Sequence, residues 1–402
     1  MSTNANFLDG SYASVIIQVT LSCNMRCKHC YEAGQNYCES KMSIETVEKI
    51  IRFYVTNYKK VDFNWFGGEP LLLGIDFYKK VLEFEKKYAQ GTIIRNYLQT
   101  NGVLCTGEIL KFLLENKFIF SFSYDGFYNN VLREQTSIVE SRMKEAKQLG
   151  YIVPVICVVT NKNIGHLIDI YEDFKSKNIP FQLNPIFKMK NSNTAIPYLM
   201  NDEEYLDGFK KLFEHWLYDK NGPVFTPLAK YVLTILGSSK GRICELVGCL
   251  YKWVSIDPNG NIFNCTRFSD EDFKITNINE VNKISDIYET QKYEEIVKKS
   301  IIRRKNCKSK CNLYLYCNGG ANCHAYNENG SLLNSDTQLC RFVKGFFPYL
   351  IKRLDEIVEN NQLMQINKWI RIQIINSRKY GYKFVKENKW IWNRNFTNDN
   401  EV

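Results

Sequence analysis

Apolar positions between residues 14 and 188 repeat with two periods, one typical of strands and one typical of helices, and the two alternate along the chain. Runs rich in β-branched residues predict six strands, at 14–20, 61–67, 92–100, 119–124, 152–160 and 181–186. Amphipathic segments predict five intervening helices, at 43–58, 75–89, 106–116, 137–149 and 164–177, with Ser43 and Thr106 as N-caps. This alternation predicts an α/β fold with a parallel sheet and right-handed crossovers, either open or curved into a partial barrel. Functional residues are expected at the carboxyl ends of its strands.

The pattern changes after this α/β region. Residues 202–237 are predicted to form a helical bridge, and residues 244–340 are loop-rich and hold eight of the 14 cysteines. After Cys340 an amphipathic helix is predicted, followed by a basic, aromatic segment over 362–402. We therefore predict four segments: an α/β core (10–190), a helical bridge (191–243), a cysteine-rich domain (244–350) and a helical, basic and aromatic tail (351–402).

The composition and charge of the chain indicate where the protein is located and what role its cysteines have. The 402 residues carry a formal net charge of +10 and 14 cysteines, too few for a small disulfide scaffold and too many to be incidental. The first residues, MSTNANFLDGSY, show no basic-then-apolar signal, and no apolar stretch reaches the roughly 18 residues of a membrane helix. We expect a cytoplasmic protein with no membrane contact. Clustered cysteines in that reducing compartment are expected to be metal ligands or catalysts rather than disulfides.

The first cysteine cluster directly follows the first predicted strand. Cys23, Cys27 and Cys30 have the spacing CxxxCxxC. Three thiolates on one loop can ligate three irons of a cubane and leave the fourth iron open to a small molecule. The alternative is a zinc site that takes His29 or Cys38 as its fourth ligand, although zinc sites favour paired CxxC or Cys/His spacings.

This motif at the end of the first strand of a β/α series resembles the radical S-adenosylmethionine (SAM) superfamily, whose fold is a partial (β/α)6 barrel. The next strands end in Gly67-Gly68-Glu69-Pro70, in Thr100-Asn101-Gly102 and in Ser123-Tyr124-Asp125-Gly126, which resemble further motifs of that family in the same order. Arg133 lies near the position of an arginine that pairs with the SAM carboxylate. The resemblance implies that the SAM-binding residues are Gly67, Gly68, Glu69, Asn101, Ser123 and Arg133.

The resemblance also implies a chemistry. The amine and carboxylate of SAM would chelate the open iron of a [4Fe-4S] cluster, and one electron would cleave the sulfonium to give a 5′-deoxyadenosyl radical. The electron would come from a carrier protein such as flavodoxin or ferredoxin. The protein itself would hold the reactants in place and exclude water and oxygen.

The second cysteine system resembles a SPASM auxiliary-cluster domain, arranged as in anaerobic sulfatase-maturating enzymes. By that likeness, one auxiliary [4Fe-4S] cluster takes Cys244, Cys249, Cys265 and Cys323. The other takes Cys307, Cys311, Cys317 and Cys340. With the first site this implies three clusters and leaves Cys38, Cys105 and Cys157 over, of which Cys157 is expected to pack in a strand. A pair of zinc ribbons is the alternative, which the scarcity of CxxC spacings disfavours.

One residue departs from sulfatase maturases. The residue after Cys265 is Thr266, where those enzymes carry an aspartate that acts as a base, and an unactivated threonine cannot act as one at neutral pH. We therefore predict a peptide maturase that oxidises or cross-links (thioether or carbon–carbon) a residue of a ribosomally made peptide or protein, with an unidentified base. Formylglycine formation is the alternative within the enzyme class, and a non-catalytic iron–sulfur or zinc protein is the alternative outside it.

The tail offers a possible docking surface. From residue 362 onward it interleaves Trp369, Trp390 and Trp392 with eight lysines and arginines. We weigh a helix packed on the cysteine-rich domain against a docking surface for an acidic leader peptide or partner. Nucleic-acid binding is not expected, because no module signature accompanies the basic residues.

Overall fold

The computed structural model describes residues 8–34, 40–190, 192–238, 243–247, 250–251, 253–267, 271–379, 383–385 and 389–391. A mixed sheet runs through these residues. Its nine strands, in chain order, are β1 Ala13–Thr20, β2 Lys60–Gly67, β3 Ile93–Thr100, β4 Ile119–Ser123, β5 Val155–Val159, β6 Phe181–Pro185, β7 Val254–Ile256, β8 Asn261–Phe263 and β9 Thr276–Asn277. They lie side by side in the order β6-β5-β4-β3-β2-β1-β7-β8-β9. The predicted α/β fold with a parallel sheet is confirmed, since β1 to β6 pair in parallel.

Two features of the sheet differ from the prediction. The strand predicted at 152–160 is only Val155–Val159, because Pro154 has no N–H for the ladder, although its carbonyl accepts a bond from Phe122 N at 2.9 Å. Beyond β1 the sheet continues into the cysteine-rich segment, where β7 pairs in parallel with β1 and β8 and β9 follow antiparallel. The short strands of this segment therefore hold it against β1, the edge strand of the six-stranded parallel sheet of the α/β core.

The helices surround the sheet and follow it along the chain. Those of the first half are α1 Ile44–Asn57, α2 Gly74–Tyr88, α3 Gly107–Glu115, α4 Asn129–Leu132, α5 Thr136–Gln148, α6 Leu167–Ser176, α7 Asp202–Tyr218 and α8 Leu228–Ile235. Those of the second half are α9 Cys244–Val247, α10 Ser285–Tyr288, α11 Gln291–Lys310, α12 Tyr314–Cys317, α13 Asn322–Asn329, α14 Gln338–Glu359 and α15 Lys368–Lys379. A two-stranded hairpin, β10 Lys383–Val385 and β11 Lys389–Ile391, follows α15 and was not predicted.

Local signals explain where several helices begin and end. Ser43 caps α1 as predicted, accepting a bond from Thr46 N at 3.1 Å, whereas Thr106 precedes α3 without a side-chain capping bond. The predicted bridge helix at 202–237 is two helices, because Gly222-Pro223 and Pro227 interrupt it. None of the described helices is long and apolar enough to cross a membrane.

One hydrophobic core extends from the sheet into the second half of the chain. Trp65 on β2 is fully buried, and Tyr205 on α7 stacks on Phe342 of α14 with ring centroids 4.1 Å apart. Ile370 and Ile374 of α15 are fully buried in the same core. The core therefore fixes the helices after the sheet against it, and the carboxyl ends of β1 to β4 carry the loops described next.

Candidate active site

Three cysteines lie on the loop that follows β1. Cys23, Cys27 and Cys30 are all half-buried, and Cys30 N donates to Cys27 O at 3.2 Å. The loop is bonded to the end of β2, since Gly68 N donates to Thr20 O and Glu69 N donates to Ser22 O, both at 2.8 Å. The thiols therefore lie at the carboxyl edge of the sheet, where the sequence places them.

Gly67 and Gly68 are required by the close approach of this loop. Gly67 has a φ of 133°, and a Cβ there would lie 2.1 Å from Thr20 O. A Cβ on Gly68 would lie 2.2 Å from Ser22 O. Any side chain at either position would push the cysteine loop away from β2.

Glu69 joins the ends of two strands. Its carboxylate is fully buried and accepts bonds from Leu71 N at 3.0 Å, Thr100 Oγ1 at 2.7 Å and Asn101 N at 2.8 Å. Burial raises the pKa of Glu69 to about 7, against the effect of these donors. Glu69 therefore shapes the turn after β3.

That turn presents Asn101 to the cysteine loop. Asn101 Nδ2 lies 3.7 Å from Cys23 Sγ and donates to Asn24 Oδ1 at 2.7 Å. Ser123, at the end of β4, is half-buried and accepts a bond from Gln99 Nε2 at 2.9 Å. Asn101 thus faces the first cysteine, while Ser123 lies on the neighbouring strand end.

Arg133 reaches the same loop from the segment after β4. Its Nη1 lies 3.8 Å from Cys27 Sγ, and its Nε donates to Asp125 Oδ2 at 2.7 Å. Burial raises the pKa of the Cys27 thiol, and the Arg133 charge opposes that rise. Lys28 N also donates to Leu132 O at 2.9 Å, so α4 is fastened to the cysteine loop.

The donor set of this loop fits an iron–sulfur cluster. Three soft thiol ligands converge on one loop, and amide and guanidinium donors face two of their sulfurs, as hydrogen-bond donors do around cluster ligands. His29 is buried, and burial lowers its pKa to about 4. Among the described residues, no three Cys, His, Asp or Glu side chains form a group that could hold a single metal ion. Cys38, the other fourth ligand considered for zinc, lies outside the described residues.

Part of the first auxiliary set comes together around Arg267. The hydrogen bond from Cys323 lowers the pKa of Cys265, and the Arg267 charge adds to this. Arg267 Nη1 lies 3.2 Å from Glu245 Oε1, and Glu245 directly follows Cys244, which is exposed. His324, next to Cys323, lies 4.0 Å from the same carboxylate. Cys249 lies outside the described residues.

In the second auxiliary set, Cys307 and Cys311 affect the thiol pKa values of Cys317 and Cys340. Burial raises the pKa of Cys317 to about 11, with smaller upward contributions from Cys340, Cys311 and Cys307. Burial likewise raises the pKa of Cys340, with Cys307 and Cys311 contributing. All four predicted ligands are half-buried. The leftover Cys105 and Cys157 are fully buried among apolar side chains, consistent with packing.

Thr266 lies between the two cysteine systems. It is buried, and its hydroxyl lies near the phenol of Tyr31, where it opposes the rise in the pKa of that phenol that burial causes. Tyr31 directly follows Cys30. Glu32 is buried beside Tyr31 and accepts a bond from Gln18 Nε2 at 3.2 Å, and burial raises its pKa to about 7. The residue after Cys265 is thus connected to the first cysteine loop.

Sequence reasoning missed several residues of this region. Arg267, Glu245 and Phe187 form a partly buried cluster, in which the guanidinium lies 4.9 Å from the Phe187 ring centroid. Burial alone would raise the pKa of Glu245, but the nearby His324 side chain and the charge of Arg267 lower it to about 2. The only sequence signal of Glu245 and Arg267 is that each lies close to a cysteine along the chain, and Phe187 has no such signal. Closeness along the chain does not identify contacts between distant segments.

Comparison with known proteins agrees with this geometry. Residues 17–174 match the radical SAM superfamily. The chain is 29% identical over 367 residues to a cysteine-type anaerobic sulfatase-maturating enzyme of Clostridium perfringens, covering 84% of this chain and 96% of that one. The structure of native anSMEcpe with bound AdoMet and Cp18Cys peptide superposes with a TM-score of 0.75 at 26% identity, covering 87% of this chain and 99% of that one. Streptococcus suis SuiB bound to S-adenosylmethionine shares the fold, with a TM-score of 0.61 at 16% identity over 81% of this chain and 76% of that one.

The domain match, the fold and the cysteine loop together identify residues 17–174 as a radical SAM domain and the protein as an enzyme, which combines SAM with a [4Fe-4S] cluster. Within that class, the chain is similar over most of its length to anaerobic sulfatase-maturating enzymes. The predicted enzyme is confirmed, and the non-catalytic alternative is not.

Proposed function

We propose that this enzyme modifies a residue of a peptide or protein substrate by SAM-derived radical chemistry, oxidising or cross-linking it. The observation that carries the proposal is the three-thiol loop at the carboxyl edge of the sheet, faced by Asn101 and Arg133 and connected through Tyr31 to Thr266. A peptide substrate is supported by the superposition on native anSMEcpe, which holds the Cp18Cys peptide.

Cys23, Cys27 and Cys30 would hold the SAM cluster, which when bound supplies the electron that cleaves SAM. Gly67 and Gly68 let the loop lie against β2, and Glu69 fixes the turn that carries Asn101. Ser123 and Arg133 are the remaining SAM contacts implied by the family motifs. These roles follow from the resemblance and from the placement of the residues at one edge of the sheet.

Eight further cysteines would hold two auxiliary clusters. The interaction of Cys265 with Cys323 supports their common set with Cys244 and Cys249. The upward effect of Cys307 and Cys311 on the thiol pKa values of Cys317 and Cys340 supports the other set. An electron carrier such as flavodoxin or ferredoxin completes the system. We keep the proposed division at residues 190, 243 and 350, with β7 to β9 joining the auxiliary domain to the core sheet.

Sulfatase maturation is the second candidate. It is favoured by the match over 96% of the Clostridium perfringens enzyme, whereas Thr266, a neutral hydroxyl in place of the family aspartate, favours a different modification. The docking role of residues 362–402 stays a prediction, because most of its basic side chains lie outside the described ones.

Mass spectrometry separates the candidates. The reconstituted enzyme would be incubated anaerobically with SAM, reductant and either peptides encoded beside its gene or a sulfatase CxPxR peptide. Loss of two hydrogens from an encoded peptide would support the lead, and formylglycine in the CxPxR peptide would support the second candidate. The Cys23→Ala/Cys27→Ala/Cys30→Ala variant is the control and should cleave no SAM. Unmodified peptides despite SAM cleavage by the parent enzyme would contradict both.

A further inference from the structure

Residues 296–327 form a strongly basic part of the cysteine-rich region, named here the basic lobe. They contain seven lysines and arginines and no aspartate or glutamate. The seven are Lys298, Lys299, Arg303, Arg304, Lys305, Lys308 and Lys310. The basic lobe comprises the C-terminal part of α11, all of α12 and the start of α13. A large share of the net charge of +10 is thus concentrated in one segment.

The exposed side of the basic lobe combines positive charge with apolar side chains. Two lysines form ion pairs one helical turn back, Lys298 with Glu294 and Lys299 with Glu295. Three lysines further along α11 are exposed: Lys305, Lys308 and Lys310. Two large aliphatic side chains are also open to solvent: Ile302 is 49% exposed and Leu315 is 64% exposed. Within the described part of the chain, Lys305 and Lys310 form no ion pair with a carboxylate. Exposed apolar groups among unpaired charges are typical of protein-docking surfaces.

The buried Arg303 side chain fixes the backbone beneath this surface through hydrogen bonds. It is fully buried, and Nε and Nη2 each donate at 3.1 Å, to Gly319 O and Gly320 O respectively. Nη1 donates to Leu332 O at 2.7 Å, and Nη2 also donates to Asn322 Oδ1 at 2.8 Å. These four acceptors are all amide carbonyl oxygens. Because α11 is fixed to the loop before α13, a partner would meet a preformed surface.

The basic lobe also carries three cysteines of the second auxiliary set. Cys307 and Cys311 close the last turn of α11, where Cys311 N donates to Cys307 O at 2.9 Å, and both thiols are half-buried. Lys305, Lys308 and Lys310 alternate with these cysteines along the chain. A protein docked on the lysines would therefore lie beside the thiols that are proposed to hold a redox cluster.

We propose that the basic lobe is the docking surface for an acidic one-electron carrier protein of the flavodoxin or ferredoxin kind. The inference rests on the proposed function, because it takes the cysteines of the lobe as cluster ligands. Opposite charge would steer the encounter, and the small apolar contact at Ile302 and Leu315 suits the limited interfaces of transient electron-transfer complexes.

Charge reversal tests the docking surface against a matched control. The variant Lys305→Glu/Lys308→Glu/Lys310→Glu is compared with Lys111→Glu/Lys144→Glu/Lys147→Glu, which reverses three exposed lysines on α3 and α5. Both are made in the full chain with its clusters reconstituted, and iron content confirms folding. The probe is an acidic flavodoxin, whose affinity is measured by calorimetry at several salt concentrations.

We expect the basic-lobe variant to bind flavodoxin at least about tenfold more weakly at low ionic strength, with a flatter salt dependence, and the control to bind like the parent protein. Equal affinities of the two variants would overturn the proposal. So would a basic-lobe variant that loses affinity for an acidic leader peptide and keeps its affinity for flavodoxin.

A second measurement separates this proposal from the proposed function. SAM cleavage is measured with dithionite, which needs no docking surface, and with reduced flavodoxin. For each variant, the rate with flavodoxin is divided by the rate with dithionite. A low ratio for the basic-lobe variant alone supports docking, and ratios that are equal in both variants contradict it. If the parent protein cleaves no SAM even with dithionite, the proposed function fails, and the affinities still decide whether the lobe binds the carrier.

Discussion

Arg133 and Asp125 form a buried ion pair beside the cysteine loop. Arg133 Nε lies 2.7 Å from Asp125 Oδ2, and the two side chains are 9% and 0% exposed. Asp125 Oδ1 also accepts a bond from Val158 N at 2.7 Å, which ties the pair to β5. Since Arg133 Nη1 is 3.8 Å from Cys27 Sγ, the pair holds a cationic donor at the thiol of a proposed cluster ligand.

Replacing this donor should change the redox properties of the SAM cluster. Charge and hydrogen bonds at ligand sulfurs tune cluster potentials, so Arg133→Gln should lower the reduction potential by on the order of 60 mV, the equivalent of a tenfold effect for a one-electron couple. An EPR-monitored redox titration measures the shift. Arg142→Gln, which removes a half-buried arginine of α5 away from the loop, is the control. An unchanged potential with weaker SAM binding would instead assign Arg133 to the SAM carboxylate.

Glu69 should affect both stability and SAM binding through the hydrogen bonds that its carboxylate accepts. An amide in Glu69→Gln offers one acceptor oxygen where Leu71 N, Thr100 Oγ1 and Asn101 N all donate, so one donor would be left unpaired at a cost of about 1–3 kcal/mol. We expect lower stability and about tenfold weaker SAM binding, because the Asn101 turn loosens. Denaturant unfolding and calorimetry measure the two effects. Thr100→Ser keeps the hydroxyl donor and should change both little, and wild-type SAM affinity in Glu69→Gln would refute this role.

The sequence predicted the α/β core well because its elements are long and strongly periodic. The six parallel strands and the helices between them follow directly from local patterns, and β1 begins one residue before its predicted start. The strands β7 to β9 were missed because each has only two or three residues and pairs with distant segments. No local signal predicts that Val254 would pair beside Val15.

The candidate site was predicted as a set of motifs, and its contacts were not. The cysteine spacings and strand-end motifs identified the residues, because each motif is short and local. The contacts of Arg133 with Asp125, of Tyr31 with Thr266 and of Arg267 with Glu245 join separate segments, so only the folded chain reveals them.

Thr266 should control which reaction is possible. A carboxylate at this position acts as a base in the sulfatase maturases that the chain resembles, and general-base catalysis contributes roughly 100- to 10,000-fold. We expect Thr266→Asp to raise formylglycine formation in a CxPxR peptide at least about tenfold over the parent enzyme. The control is Thr266→Asn, because asparagine has the shape of aspartate without its charge. Mass spectrometry measures the product. Equal formylglycine yields from Thr266→Asp and Thr266→Asn would show that the absence of a carboxylate base at this position does not limit formylglycine formation.

The second auxiliary set predicts a defined loss of iron. Cys340 and three other cysteines would hold one cubane, so Cys340→Ala should lower the iron content from about twelve to about eight per chain. Cys105→Ala, which changes a fully buried cysteine outside all predicted sets, should leave the iron content unchanged. Iron analysis after anaerobic reconstitution gives both values. A Cys340→Ala protein that keeps the full iron content would remove Cys340 from the ligand set.

A buried carboxyl on α2 should make stability depend on pH. Glu85 accepts a bond from Asn96 Nδ2 at 3.1 Å, and Asn96 accepts one from Trp65 Nε1 at 2.8 Å. Burial raises the pKa of Glu85 from 4.5 to about 7. Because the folded pKa lies above the unfolded one, the folded protein binds more protons between these values. The contribution of Glu85 to stability is therefore fully present below about pH 4.5 and is lost as the pH rises through 7.

Replacing Glu85 should remove part of this dependence. Between pH 6 and 8.5 the ionisation of Glu85 should cost the parent protein about 1 kcal/mol of unfolding free energy. Glu85→Gln retains an acceptor for Asn96 and cannot ionise, so its stability should fall less over that range. Glu83→Gln, on the exposed side of the same helix, should follow the parent protein. Denaturant unfolding at both pH values measures the slopes, and equal slopes in Glu85→Gln and Glu83→Gln would show that Glu85 does not titrate in this range.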